Sequence, residues 1–170
     1  MNIRELYLNL NSVKAAYSEA VNKYAEADLE NEQTAAALTS ELNSVQVEAQ
    51  SVIENAQHDL FTLKVKPPTT SDASLILVLS NNPGLTAADL RTAILYQTTN
   101  YTTRKTLSAI AEEKSLDVSA VGESAVDTIG GILAGILDYF GGLTIESAIE
   151  NGASPEAFEG IETLRDIWFI

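Results

Sequence analysis

From Met1 to Lys66 the chain contains neither glycine nor proline; Pro67 is the first breaker and Gly84 the first glycine. A run rich in Ala, Leu, Glu and Gln, with nothing to supply a tight turn, has good helix propensity throughout. Its apolar residues fall in two interleaved heptad series. One runs Ile3, Leu10, Tyr17, Tyr24, Asn31, Leu38, Val45, Val52, and the other Tyr7, Lys14, Val21, Asp28, Ala35, Leu42, Ala49, Ala56. Thirteen of these sixteen positions are apolar, a repeat sustained well beyond the few heptads that suggest a coiled coil.

A single helix over residues 3 to 57 would be about 80 Å long at 1.5 Å per residue. Its stripe must then meet a second copy, another chain, or a hairpin return of the same chain. The polar seam positions Asp28 and Asn31 fall together in ADLENEQ. They read either as a register device in a continuous helix or as the corner of a hairpin. The continuous helix is favoured, because helix-to-helix corners usually recruit glycine or a capping residue. The candidate self-association residues are Ile3, Tyr7, Leu10, Tyr17, Val21, Tyr24, Leu38, Leu42, Val45 and Val52.

Phe61 to Lys66, FTLKVK, alternates apolar and polar before Pro67-Pro68-Thr-Thr-Ser-Asp. This reads as an extended exit and a linker over residues 67–73, separating a 1–66 coiled-coil-like helix from a helical domain over 74–170. Within that domain SLILVLS favours helix slightly over buried strand, and NNPG is a turn. Thr86 and Asp89 resemble a capping box with Asp in place of the usual Glu or Gln, starting the helix TAADLRTAILYQ. Further helices are expected over Thr103 to Lys114, Ser119 to Phe140, Thr144 to Glu150 and Pro155 to Trp168. The fold class expected is all-α.

The net charge is −14, and it divides evenly about residue 60, with −7 on either side. An acidic surface disfavours general affinity for nucleic acid or anionic membranes and favours a protein partner. There is no cysteine and hence no thiolate chemistry. The opening residues carry no apolar signal-peptide core, so a cytoplasmic or virion-associated location is expected.

Catalytic signatures are weak. GESAV at Gly122 to Val126 begins like a nucleophile elbow but ends in Val126, and the lone histidine, His58, lies on the long helix. Acid groups such as Glu159, Glu162 and Asp166 read as a solvated helix face. Asn100-Tyr101-Thr102 matches the glycosylation tripeptide. No enzyme activity, cofactor or metal site is implied.

GGILAGILDYFGG, residues 130 to 142, lacks the Lys-Ser/Thr of a phosphate loop and is too short to span a bilayer. It reads as a helix on which Gly131 and Gly135 let a neighbouring backbone approach, ended by Gly141-Gly142. The apolar end Trp168, Phe169, Ile170 is a candidate partner-binding segment.

Residues 77 to 116, with an apolar helix, an N-P-G turn, TAADL, and a Thr-Arg-Lys helix start, resemble a fragment of winged helix-turn-helix proteins. That resemblance covers about a quarter of the chain and implies a DNA-binding regulator dimerised by the coiled coil, with Arg104 and Lys105 on the reading helix. A membrane-active protein using residues 130–142 is the other alternative. The principal expectation is a non-enzymatic assembly protein, such as a phage virion component. It would oligomerise through its N-terminal helix and engage another protein through its C-terminal domain.

Overall fold

A computed structural model describes residues 2–25, 27, 30–121 and 124–167. Among the described residues the fold is all-α, with no strand. The helices are α1 (Ile3–Tyr24), α2 (Glu32–Val65), α3 (Thr70–Ser80), α4 (Ala87–Thr92), α5 (Tyr101–Glu113), α6 (Ala125–Gly141), α7 (Ile145–Asn151) and α8 (Ile161–Ile167). A π turn, Ala93–Gln97, extends α4, and 3₁₀ turns cover Ser119–Val121 and Glu156–Phe158.

The chain divides into two compact units: residues 1–59 together with 129–170, and residues 60–128. The division does not follow the 67–73 linker expected from the sequence. The Pro67-Pro68 step lies inside the second unit, where α3 begins at Thr70.

In the first unit the continuous helix gives way to a hairpin. Asn2 caps α1, its side chain accepting from the Glu5 amide (3.3 Å). Asn31 starts α2 in the same way, accepting from the amides of Gln33 (3.0 Å) and Thr34 (3.3 Å). Asn31 is thus a capping residue and not a seam residue, which is the physical reason for the break; Asp28 lies outside the described residues. The two helices run antiparallel. At one end Lys23 pairs with Glu41 (2.5 Å), which also accepts from the Tyr24 hydroxyl (3.1 Å). At the other, Leu6 and Asn9 share a cleft with Val52 and Asn55.

Tyr17, fully buried, is the hub of this unit. Its hydroxyl meets that of Tyr139 (2.5 Å) and donates to the Ala148 carbonyl (3.4 Å). Its ring stands edge-on to Tyr139, Phe140 and Phe158 at 5.4 to 6.2 Å between centroids, within the range where aromatic pairs add to area burial. Burial pushes the Tyr17 phenol far above its ordinary range, and the Tyr139 hydroxyl adds to the shift. One α1 side chain thereby gathers α6, α7 and the turn before α8. Beside it α1 packs along α8, and the Gln46 amide donates to the Phe140 carbonyl (3.1 Å), tying α2 to α6.

The glycines of α6 do not admit a neighbouring backbone. A Cβ on Gly131 or Gly135 would meet nothing within 4 Å, because both line an open groove. The close approach falls instead at Gly160, where a Cβ would lie 3.0 Å from the Ile132 side chain. The expected helix from Pro155 to Trp168 is accordingly two pieces, Glu156–Phe158 and Ile161–Ile167, with Gly160 at the crossing; Trp168 lies outside the described residues. Gly141 ends α6 as expected, and Gly152, with φ +67°, ends α7 in a conformation that favours glycine.

In the second unit FTLKVK is helical and completes α2, against the expected extended exit. Leu60 is buried, and the last carbonyls are used: Lys64 accepts from the Thr102 hydroxyl (3.2 Å), and Lys66 and Pro67 from the Asn100 amide (3.2 Å each). One last-turn carbonyl and two just beyond the helix thus find donors at the start of α5, which ties down the end of α2 before and at the prolines. Thr69–Asp72 and Thr86–Asp89 form reciprocal capping boxes that start α3 and α4. Leu90, Ile94, Leu107 and Ala111 form the core, against which Leu75, Ile76 and Leu79 of α3 pack. The α5 helix has no glycine at its end, so Ser115 takes the left-handed conformation (φ 55°), and the Leu116 amide reaches back to the Ala111 carbonyl (2.8 Å).

Candidate functional site

Of the ten candidate self-association residues, Leu10, Tyr17, Val21, Tyr24, Leu38, Leu42 and Val45 are buried within this one chain. Ile3, Tyr7 and Val52 are half-buried, and the Tyr7 hydroxyl donates to Glu162 (3.4 Å). The chain's own hairpin and its α6 and α8 partners cover the stripe, so a second copy is not needed to hide it. Trp168, Phe169 and Ile170 lie outside the described residues. Ser124 is the cap of α6, its hydroxyl donating to Asp127 (2.9 Å) and accepting from the Asp127 amide (3.2 Å). Asn100 of the glycosylation tripeptide caps α5, accepting from the Thr103 amide (2.9 Å).

The second unit carries the surface that sequence reasoning did not single out. Nine large apolar side chains stand exposed among the described residues. Three, Leu8, Val47 and Leu137, are in the first unit; Phe61, Val65, Leu77, Val78, Leu95 and Tyr96 are in the second. Leu77 and Val78 are 63% and 66% exposed on α3, whose other side meets the core. The signal was in the sequence: SLILVLS has no polar face, and a helix apolar all round has one side left to cover.

Charge follows the same division. The first unit holds seventeen acids against four bases, a net −13, and the second seven against six, a net −1. The second unit also contains a cleft of about 330 Å³ beside α5, with Tyr101, Arg104, Lys105, Ser124 and Asp127 on its walls. Asp127 receives three donors: Lys105 (2.8 Å), the Tyr101 hydroxyl (2.9 Å) and Ser124 (2.9 Å). Burial pushes its carboxyl up, but those three hydrogen bonds outweigh it and hold the pKa below the ordinary Asp range. The Lys105 ammonium, paired with Asp127, lies 5.4 Å from the Tyr101 ring centroid and is raised above the usual Lys value by that pairing. Arg104 is half-buried, and its guanidinium has no hydrogen-bond or ion-pair partner among the described residues.

The described residues hold no group of three acidic, histidine or cysteine side chains placed to bind a metal, and no helix long and apolar enough to cross a membrane. No protein-family model, curated protein or solved structure matches the chain. The winged helix-turn-helix resemblance of residues 77 to 116 therefore gains no support beyond the succession of α3, α4 and α5.

Proposed function

We propose that the chain is a non-enzymatic assembly protein that docks a protein partner through its second unit, within a larger complex such as a virion. The observation that carries this reading is the placement of the exposed apolar side chains: six of nine belong to the unit that is nearly neutral. Exposed apolar groups together with little net charge are what a desolvated protein interface requires, since neither partner must strip a charged shell. The first unit hides its stripe and carries almost all of the negative charge, which suits a soluble body that resists non-specific association.

Val78 and Val47 allow a controlled test. They are the same residue type at matching exposure, 66% and 68%, in different units. A photoreactive amino acid placed at each position in turn, in cells that express the chain at its native level, should give one discrete protein adduct from position 78 and none from position 47. Equal adducts from both positions, or none from 78, would count against a partner-facing second unit.

DNA binding is the second reading, favoured by Arg104 and Lys105 in a unit of net −1. Lys105, however, is committed to Asp127. Duplex binding that weakens steeply with salt and is lost in Arg104→Glu would select it.

A further inference from the structure

Among the described residues that line the cleft of the second unit, every charged or hydroxyl group but one has a hydrogen-bond or ion-pair partner. Asp127 has its three donors, and Lys105, Tyr101 and Ser124 each supply one of them. Ser108 donates to the Arg104 carbonyl on its own helix (3.1 Å). Arg91, elsewhere in the same unit, is also engaged, with two guanidinium nitrogens on the Asp117 carbonyl (3.2 and 3.0 Å). Among the described lining residues Arg104 alone has a charged group with no partner: half-buried, it presents five N–H donors in a planar fork to a space of about 330 Å³. Ile94 and Val121 supply apolar wall beside those donors.

We infer that this cleft is an anchor for a carboxylate side chain of an acidic segment in the protein partner, received by Arg104. The guanidinium fork matches a carboxylate with two parallel hydrogen bonds. Among the described lining residues one unpaired positive charge balances one negative charge, whereas a phosphate dianion would bring a second charge toward the Asp127 carboxylate that shares the cleft. Tyr101 and Lys105, held in place by Asp127, form a fixed wall beside the incoming group. The inference rests on the second unit being the part that meets the partner, and adds to the apolar contact a polar group that sets position and charge preference.

The test uses the full chain with a labelled glutamate-containing peptide of about fifteen residues at low salt, where charge-assisted contacts are least screened. Fluorescence anisotropy reads affinity, and the Arg104 Nε–H resonance reads the site. Saturable binding should shift that resonance and weaken about tenfold or more in Arg104→Gln, the scale of a lost charge-assisted pair. Lys114→Gln, an exposed charge removed elsewhere on the same unit, should change affinity less than about twofold, as a surface charge does. Helical circular dichroism should be unchanged in both variants. Absence of binding, equal losses in the two variants, or equal displacement by inorganic phosphate and by free glutamate would each overturn the inference. Peptide bound at Arg104 in a chain that gives no adduct from position 78 would leave the anchor standing and remove the α3 face from the proposed function.

Discussion

In the first unit a tyrosine on α1 sits at zero exposure with three aromatic rings and two hydrogen-bond partners around it; in the second, leucine and valine on α3 stand more than half in water. The first unit buries most of its large apolar residues and its sequence carries seventeen acids, whereas the second builds a smaller core and leaves more apolar side chains exposed, with a half-buried arginine that has no partner among the described residues. Burial that is fuller in one part than in the other is the difference on which the proposed partner-facing role of the second unit rests.

Substitutions can break that contrast or sharpen it. The largest effect is expected at the hub: Tyr17→Ala should destabilise the chain by about 3–5 kcal/mol, the cost of emptying a buried aromatic site, read from urea unfolding. Asp72→Asn comes next. The Asp72 carboxylate accepts from the hydroxyls of Thr98 and Thr69 and from the Thr69 amide, which hold it below the ordinary Asp range, and so pins the start of α3 to the segment before α5. Because the folded-state value is depressed, its stabilisation is present above the unfolded value of about 3.9 and is lost as pH falls through the lower folded one. The variant should therefore cost about 1–2 kcal/mol at neutral pH, as capping residues do, with the difference from the native chain closing in acid.

Ser115→Gly should stabilise by up to about 1 kcal/mol, relieving the left-handed residue at the end of α5. Leu77→Asp paired with Val78→Asp should shift stability least, within about 0.5 kcal/mol, since both side chains are exposed. A loss comparable with that of Tyr17→Ala would mean that the α3 face is covered by the chain itself, and the contrast between the units would fail.

Much of the helical layout was readable from local chemistry. Thr86 and Asp89 announce α4 because a capping box is a contact three residues apart, and Gly141-Gly142 announce the end of α6 for the same local reason. What escaped depends on distance. Asn31 occupies a heptad position and also caps a helix, and the repeat alone does not separate the two roles, although asparagine is among the preferred capping residues. Gly131, Gly135 and Gly160 look alike in sequence, and only Gly160 has Ile132 pressed against it.

The charge contrast was hidden by topology. A division at residue 60 gives −7 on each side, whereas the real first unit recruits residues 129–170 and their seven acids, leaving the remainder at −1. Arg104 was singled out as a DNA-reading residue, but the pairing of its neighbours, which makes it distinctive, is a property of α5 meeting the start of α6 around Asp127.

The claim on which the comparison rests is that the N-terminal stripe is folded back and hidden by its own chain. With no native cysteine to interfere, Asn9→Cys and Asn55→Cys can carry spin labels at two exposed positions that border one cleft, diluted with unlabelled chain so that only intrachain distances register. Antiparallel helices with axes about 8–10 Å apart should place the labels within about 25 Å, whereas a continuous helix would separate them by about 70 Å at 1.5 Å per residue. A dominant short distance is the expected result; a dominant long one would contradict the hairpin and return the stripe to a second copy.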